Sequence, residues 1–316
     1  MAKKKIKKQA VSKSSKTIKK SYTRIPVVYF LIFLLILAGI FVFGIFTMPR
    51  VSKTDSIKFD HKASLKQIKK LDKILMSPYP TKPVTETPTT VPLTGYCLRV
   101  PVLMYHHIQP EAQAKEKGQT ALTVDAGFFD IQMKYLAENG YTTLFANELT
   151  SALRNHTVLP AKSIVVTLDD GYADNYIYAL PILEKYNLKA NIMLASGLMG
   201  NGDMLSWDQV KALKASGHIY FTNHTWSHYA VNRGSQAKIE SEIDVAQKQI
   251  QDITGQPVTE FTYPYGAFND NAIQTLARKG YTGAFTEIPG FYQCDSFLMT
   301  LHRTRIGNAS LSYYGI

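Results

Sequence analysis

The first 24 residues contain no Asp or Glu, although ten of them are Lys or Arg. These ten cations account for most of the formal net charge of +12, and the rest of the chain carries only +2. Binding to a phosphate backbone requires a cationic face on the folded domain itself. The charge distribution therefore predicts a basic tail over residues 1–24 and disfavours nucleic acid as a partner.

Charge of either sign is absent from Ile25 to Pro49. A bilayer core of roughly 30 Å needs about 20 apolar helical residues, so this run predicts a transmembrane helix over residues 25–49. The alternative is a cleaved signal peptide, whose apolar core is usually shorter and is followed by small residues. The basic tail predicts a cytoplasmic N-terminus by the positive-inside effect, and an extracellular location for everything after the span.

Apolar residues are scarce between Ser77 and Gly95, a stretch rich in Pro and Thr. Proline favours extended conformations, so this stretch is typical of a stalk. Before it, apolar side chains at helical spacing predict a short amphipathic helix within residues 51–77. Residues 50–95 are therefore expected to be an extracellular helix and stalk, and residues 96–316 the folded domain. No internal repeat is visible.

Cysteine is also rare, because Cys97 and Cys294 are the only two in the chain. Both fall in the part predicted to lie outside the cell, where an oxidising environment permits a disulfide. Two unpaired thiols are the alternative.

From residue 96 onward, apolar strand-like runs alternate with amphipathic helical patterns. This alternation predicts an α/β domain with a mostly parallel sheet, either open or closed into a barrel. Functional side chains in such folds collect at the carboxyl ends of the strands. The predicted strands are Val100–Tyr105, Tyr141–Phe145, Ser163–Leu168, Ala190–Ala195, His218–Thr222, Glu260–Tyr263, Gly283–Thr286 and Leu298–Ile306. The predicted helices are Phe128–Asn139, Asn147–Asn155, Tyr176–Tyr186, Trp207–Ser216, Ser235–Thr254 and Asn271–Lys279.

Asp169 and Asp170 form a pair of adjacent carboxylates at the end of the apolar run from Ile164 to Val166. Such a pair is repulsive unless a cation or a proton lies nearby. One carboxylate can bind a metal while the other acts as a base toward the metal's water. Asp-Asp-Gly is also an ordinary turn sequence, and alone it favours the turn.

His224 and His228 follow another apolar run, in the sequence Asn-His-Thr-Trp-Ser-His. Their i, i+4 spacing places both imidazoles on one side if the segment is helical. Two His nitrogens and one carboxylate oxygen make an open catalytic metal site. A lone His pair is more often ordinary polar surface, so this hypothesis depends on the neighbouring double Asp.

Two weaker motifs complete the set. Tyr263-Pro264-Tyr265-Gly266 predicts a rigid turn after a strand, from which a backbone N–H could point into the cleft. His106, in the sequence from Pro101 to His107, lies at the end of the first strand and could act as a general acid. A hydrogen-bonded structural histidine is the alternative for His106.

Together these four motifs resemble the polysaccharide deacetylase (NodB-homology) family, over about residues 97–307. The segment PVLMYHHI at 101–108 is similar to the branch that includes poly-N-acetylglucosamine deacetylases. The resemblance implies a deformed (β/α) barrel of NodB-homology type. It also implies roles for six residues: metal binding by Asp170, His224 and His228, with Asp169 as base, His106 as acid, and the Tyr265 N–H as oxyanion donor.

The sequence departs from the family pattern at Thr262, where many members have an Arg that orients the base. Arg303 or Arg305, in a late Leu-x-Arg-x-Arg pattern, is the hypothesised replacement for that cation. His302, in the same segment, is not assigned as the acid.

The resemblance implies a metal-dependent hydrolase that removes N-acetyl groups from a cell-wall or extracellular amino-sugar polysaccharide. Zn²⁺ is the expected metal, with Co²⁺ or Ni²⁺ as alternatives because an Asp-His-His set accepts all three. The rival functions are an O-acetyl polysaccharide esterase and a glycan-binding module with a degenerate site. Several aromatic residues could stack on sugars or belong to the core: Tyr172, Trp226, Tyr265 and Phe291.

Overall fold

The computed structural model describes residues 93–316. The predictions for the basic tail (1–24), the apolar span (25–49) and nearly all of the segment 50–95 lie outside the described residues. Within residues 93–316, no helix combines the length and apolar character needed to cross a bilayer.

The centre of the domain is a curled parallel sheet of eight strands with helices packed on its outer face. The main-sheet strands are β2 (Val102–Tyr105), β5 (Thr142–Leu144), β6 (Ser163–Asp170), β7 (Ala190–Leu194), β8 (Ile219–Asn223), β9 (Glu260–Thr262), β10 (Gly283–Phe285) and β12 (Thr304–Arg305). Seven of them follow the order β10-β9-β8-β7-β6-β2-β12, and β5 pairs with the first residues of β6.

The helices lie between the strands, as the alternating pattern predicts. They are α1 (Glu111–Lys117), α2 (Ala126–Glu138), α3 (Ala146–Asn155), α4 (Leu180–Tyr186), α5 (Trp207–Ala215), α6 (Gln236–Thr254) and α7 (Asp270–Arg278). The six predicted helices are confirmed to within a few residues, whereas α1 was not predicted. A single π-turn at Asn175–Ala179 leads into α4.

Strand β6 is the middle of the sheet, and all eight of its residues are buried. Burial on both faces explains its nearly continuous apolar sequence, because parallel strands with covered faces lose the apolar–polar alternation. Its last two residues are Asp169 and Asp170, so the apolar strand delivers two carboxylates to the carboxyl edge of the sheet.

The last segment of the chain bridges the two edges of this sheet. Leu301 exchanges backbone hydrogen bonds with β10, through Ala284 and Thr286, and β12 then pairs in parallel with β2. The predicted strand Leu298–Ile306 was therefore too long, since residues Asp295–Thr300 form 3₁₀ turns. The sheet curls into a barrel-like wall, consistent with the deformed (β/α) barrel expected from the sequence.

Two small pairs of strands lie outside the main sheet. Strand β1 (Cys97–Arg99) pairs antiparallel with β11 (Tyr292–Cys294), and β3 (His107–Gln109) pairs in parallel with β4 (Thr123–Asp125). Cys97 and Cys294 face each other across the first pair and form a disulfide. Of the two alternatives that the sequence left open, the structure shows the bonded one.

Candidate active site

The polar motifs meet at the carboxyl edge of the sheet, as the strand-end rule predicts. Asp169 and Asp170 end β6, while His224 directly follows β8 and Tyr265 follows β9. These segments are far apart in sequence, but β6 and β8 both flank β7 and β9 flanks β8. The sheet order therefore brings the motifs to one place.

Asp170, His224 and His228 form a cluster of potential metal ligands. Asp170 Oδ1 lies 3.4 Å from His224 Nε2 and 3.2 Å from His228 Nε2, and all three ligand atoms lie within 4.8 Å of one another. Asp170 Oδ1 is buried and accepts no hydrogen bond within the described residues. A buried carboxylate oxygen without a donor is unusual. A divalent cation between these three atoms would satisfy it, so the residues fit such an ion.

The cluster is held by a loop rather than by a helix. Residues 224–228 have no helical structure, and Thr225 and His228 have left-handed backbone conformations, with φ of 64° and 57°. The sequence-based argument that a helix brings the two imidazoles together was therefore wrong. The imidazoles converge because the chain turns sharply twice between them.

Hydrogen bonds fix the ligands in the orientation that metal binding requires. The Nδ1–H of His224 donates to the Thr262 carbonyl at 2.8 Å, which leaves Nε2 unprotonated toward Asp170. Such contacts orient metal-binding histidines and set their tautomer. Glu242, from α6, accepts hydrogen bonds from the Ser227 N–H and hydroxyl, both at 2.8 Å. The loop is thus anchored from behind by a buried carboxylate.

The electrostatics of the cluster favour the ligand forms of its side chains. Burial works to raise the pKa of Asp170, but the neighbouring imidazoles of His224 and His228 outweigh it and lower the pKa well below its usual range. Burial, and then the nearby His224, lowers the pKa of His228 to about 4. At neutral pH the first side chain is a carboxylate and the second is a neutral imidazole, and both can bind a cation.

Asp169 has a different environment from its neighbour Asp170. Arg303 contacts both of its oxygens, with Nη1 2.6 Å from Oδ1 and Nη2 2.8 Å from Oδ2. Arg303 also donates to the Thr167 hydroxyl and to the Thr286 carbonyl, and its side chain is fully buried. Burial works to raise the pKa of Asp169, but the Arg303 guanidinium outweighs it and the pKa lies below its usual range.

Of the two arginines considered from the sequence, only Arg303 contacts Asp169. Arg305 is exposed, and its Nη2 donates to the Ala121 carbonyl at 2.7 Å. Both oxygens of Asp169 are already occupied by Arg303. Arg305 therefore has no contact through which it could orient Asp169. Thr262, where the family pattern has its Arg, contributes its carbonyl to His224 instead.

His106 lies between β2 and β3 and is half-buried. Burial lowers its pKa, the charges of Asp169 and Asp170 oppose that effect, and Arg303 and Arg305 add to it. Asn175, from the π-turn before α4, donates to the His106 carbonyl at 3.0 Å and fixes the backbone there. The imidazole therefore lies within electrostatic range of both aspartates and both arginines.

Tyr265 occupies the turn after β9 in a left-handed conformation, with φ of 60°. Its ring stands edge-on to His228 at 4.4 Å between centroids and is 65% exposed. Asp170, Thr225, His228 and Tyr265 are four of the seven non-glycine residues with positive φ in the part of the chain that the structure describes. Backbone strain of this kind concentrates at functional sites.

The other aromatic candidates divide between the surface and the core. Trp226 lies in the loop between His224 and His228 and is 40% exposed, so its ring and that of Tyr265 are accessible to a sugar. Tyr172 stacks on the buried His107, at 3.5 Å between ring centroids, and Phe291 packs against the main core cluster.

Sequence reasoning missed a buried contact between a histidine and an aspartate next to His106. Asp174 contacts His107 Nδ1 and also accepts from the Ile108 N–H and the Asn175 amide. His107 and Asp174 are both buried, and they support the segment that carries His106. The only available signal was Asp174 itself, four residues after Asp170, and that spacing alone does not distinguish it from a surface residue.

Comparison with known proteins identifies related sequences and structures. The family described as "Polysaccharide deacetylase" matches residues 156–284. YxkH of Bacillus subtilis, which carries a provisional polysaccharide deacetylase name, is 31% identical over 208 residues, covering 66% of this chain and 71% of that protein. The poly-beta-1,6-N-acetyl-D-glucosamine N-deacetylase of Escherichia coli K12 is 26% identical over 250 residues, covering 65% of this chain but only 36% of that protein.

A solved structure of the Streptococcus pyogenes deacetylase PplD, in complex with acetate, superposes with a TM-score of 0.64 at 29% identity. The match covers 69% of this chain and 96% of that one.

Proposed function

This chain belongs to the polysaccharide deacetylase family of hydrolases, and we propose that it uses a divalent metal to remove N-acetyl groups from an amino-sugar polysaccharide. Among its relatives, the E. coli protein is named for poly-β-1,6-N-acetylglucosamine, and the S. pyogenes deacetylase binds acetate, the product of such a reaction. Peptidoglycan amino sugars and chitin-like oligomers are the other candidate substrates.

The observation that supports the proposal best is the unequal environment of two adjacent carboxylates. Asp170 has a buried oxygen without a donor, directed at two imidazole nitrogens. Asp169 is held on a guanidinium and is separate from that cluster. A hydrolase that activates water with a metal needs this combination, in which one carboxylate binds the ion and another accepts the proton.

An acetamide is a poor electrophile and its amine is a poor leaving group, so both ends of the bond need assistance. A divalent cation supplies Lewis acidity when bound, lowering the pKa of a coordinated water from about 16 toward about 7. Asp170, His224 and His228 would hold that cation. Asp169, oriented by Arg303, accepts the proton from the attacking water.

The remaining residues act on the substrate. The Tyr265 N–H stabilises negative charge on the carbonyl oxygen, and the loss of such a donor costs about 3–4 kcal/mol in the barrier. His106 donates a proton to the departing nitrogen. Its lowered pKa makes the imidazolium a stronger acid, at the cost of a smaller protonated fraction.

The apolar run at residues 25–49 and the basic tail before it support a location for this activity. The chain would be a single-pass membrane protein with a cytoplasmic N-terminus, and the domain would act outside the cell on wall or matrix glycan. Protease accessibility of the domain in intact cells tests this location.

Acetate release tests the proposed reaction. The protein is incubated with poly-β-1,6-N-acetylglucosamine, peptidoglycan glycan strands and chitin oligomers, with and without a chelator, and after adding back Zn²⁺, Co²⁺ or Ni²⁺. We expect release that the chelator abolishes and a metal restores. Release only from O-acetylated glycan would make the protein an esterase. Glycan binding without release and without stoichiometric metal would make it a binding module.

Two substitutions separate the roles of the aspartate and the histidine. Asp169→Asn is expected to retain bound metal and lose hydrolysis by about 10²–10⁴-fold, the usual contribution of a general base. His224→Ala is expected to lose both metal and hydrolysis. Full activity in Asp169→Asn would contradict the assignment of the base.

A further inference from the structure

A second cavity lies beside the candidate site and shares His106 with it. Its volume is about 360 Å³, within the range of small-ligand pockets, and its walls include Tyr105, Thr120 and Asn308. His106 lines this cavity and is also within electrostatic range of Asp169 and Asp170. A sugar chain placed with an acetamide at Asp170 would therefore bring a neighbouring group close to this cavity.

Arg305 provides the one formal charge on the cavity wall apart from His106. It is the last residue of β12, two residues after the buried Arg303. Its Nη2 is held by the Ala121 carbonyl, which orients the guanidinium. No carboxylate oxygen of residues 93–316 lies within 4.0 Å of it, and no Asp or Glu lines the cavity.

Two other polar groups on the wall have donors that no acceptor of the described residues occupies. The Asn308 carbonyl oxygen accepts from the Asp125 N–H, so its amide N–H₂ remains available. The Thr120 hydroxyl forms no side-chain hydrogen bond within the described part of the chain. A fixed guanidinium fork with an amide and a hydroxyl beside it suits an acceptor-rich anion such as a carboxylate or a phosphate.

We propose that this cavity is a subsite for an anionic group of the glycan, and that Arg305 determines a preference for such substrates. The proposal rests on the deacetylase function proposed above and specifies its substrate class. A neutral homopolymer of N-acetylglucosamine would bind without using the charge of Arg305. A glycan that carries a carboxylate or phosphate next to the scissile acetamide would use it.

The test compares pairs of oligosaccharides that differ at one charged group. The carboxylate pair is an N-acetylglucosamine–N-acetylmuramic acid tetrasaccharide and its methyl amide. The phosphate pair is a chitin tetrasaccharide with and without a 6-phosphate. Acetate release is measured with wild type, Arg305→Gln and Arg305→Lys. Arg154→Gln is the matched control, because it removes the same charge from the exposed end of α3, near the start of β9.

We expect wild type to prefer the charged member of at least one pair by about tenfold in kcat/KM, equivalent to about 1.4 kcal/mol, mostly through KM. The preference should vanish in Arg305→Gln, return in part in Arg305→Lys, persist in Arg154→Gln and weaken with added salt. The pair that responds identifies the anion. Equal rates on both members of each pair, or a preference unchanged in Arg305→Gln, would overturn the subsite while leaving the deacetylase function intact. If no glycan loses acetate, the function fails and the subsite with it.

Discussion

Replacing Arg303 by Met tests whether the cation that holds Asp169 also supports the fold. Met has a similar length and no charge, so the substitution removes four donated hydrogen bonds and leaves little empty space. Two of those bonds go to Asp169, one to the Thr167 hydroxyl and one to the Thr286 carbonyl. Asp169 would then be a buried carboxylate without a counter-charge.

The expected effect on stability follows from that burial. Arg303 is 1% exposed and Asp169 is 2% exposed, so water cannot replace the lost partner without local opening. Removing one member of a buried ion pair typically costs about 3–5 kcal/mol. Summing four charged hydrogen bonds would give a larger figure, but that sum ignores the desolvation that the pair already overcomes. We therefore expect a loss of about 3–5 kcal/mol, a large part of a typical domain's stability.

A double-mutant cycle separates the ion pair from the packing. Urea denaturation of wild type, Arg303→Met, Asp169→Asn and the double variant gives four free energies of unfolding. Because the double variant buries no charge at this position, it should be at least about 2 kcal/mol more stable than the sum of the single effects predicts. Arg303→Lys is the matched control, since it keeps the charge and loses the two-pronged contact. Additive effects, or full deacetylase turnover in Arg303→Met, would refute the reasoning.

Two other buried carboxylates give independent predictions. Asp174→Ala should destabilise the protein by about 2–4 kcal/mol, because it leaves His107 and the Ile108 N–H without their acceptor. Asp174→Asn should lower the free energy of unfolding by less, and equal losses for the two variants in urea denaturation would contradict this. Lys238 and the Ser227 donors lower the pKa of Glu242 although its burial opposes them. The stability that the Glu242 carboxylate contributes to the fold should therefore be fully present above about pH 4.5 and be lost at lower pH. At pH 7 the free energy of unfolding of wild type should exceed that of Glu242→Gln by about 1–2 kcal/mol, and this difference should shrink below pH 4.5. A difference that does not change with pH would contradict the prediction.

The order of strands and helices could be predicted from the sequence because each element carries its own pattern. Helices α5, α6 and α7 begin at residues that cap them, Ser206, Ser235 and Asn269, and these polar residues precede the apolar repeats. The strand predicted at Leu298–Ile306 failed for a physical reason. Its apolar residues pack against the core from 3₁₀ turns, and burial alone does not distinguish a turn from a strand.

The ligand residues could be found from sequence, whereas their backbone geometry could not. The strand-end positions of Asp170 and His224 depend only on the apolar runs before them. The loop that carries His228 depends on left-handed conformations at Thr225 and His228, and a β-branched residue such as Thr225 strongly disfavours that region. Contacts with Glu242 and Asn223 stabilise those conformations, and they join segments that are distant in sequence or fold back locally. The i, i+4 spacing therefore identified the correct pair of histidines, although the helix on which that argument was based is absent from residues 224–228.

The choice between Arg303 and Arg305 shows most clearly what only the folded chain determines. The two residues are two positions apart, so the alternation of side chains along a strand cannot separate them from the sequence. Their depth separates them. Arg303 starts lower in the barrel, passes Thr167 and reaches Asp169. Arg305 starts opposite Met104, nearer the mouth, and its guanidinium turns to Ala121. The register of β12 on β2 thus accompanies a contact of Arg303 with Asp169 and a position of Arg305 on the wall of the cavity that His106 also lines.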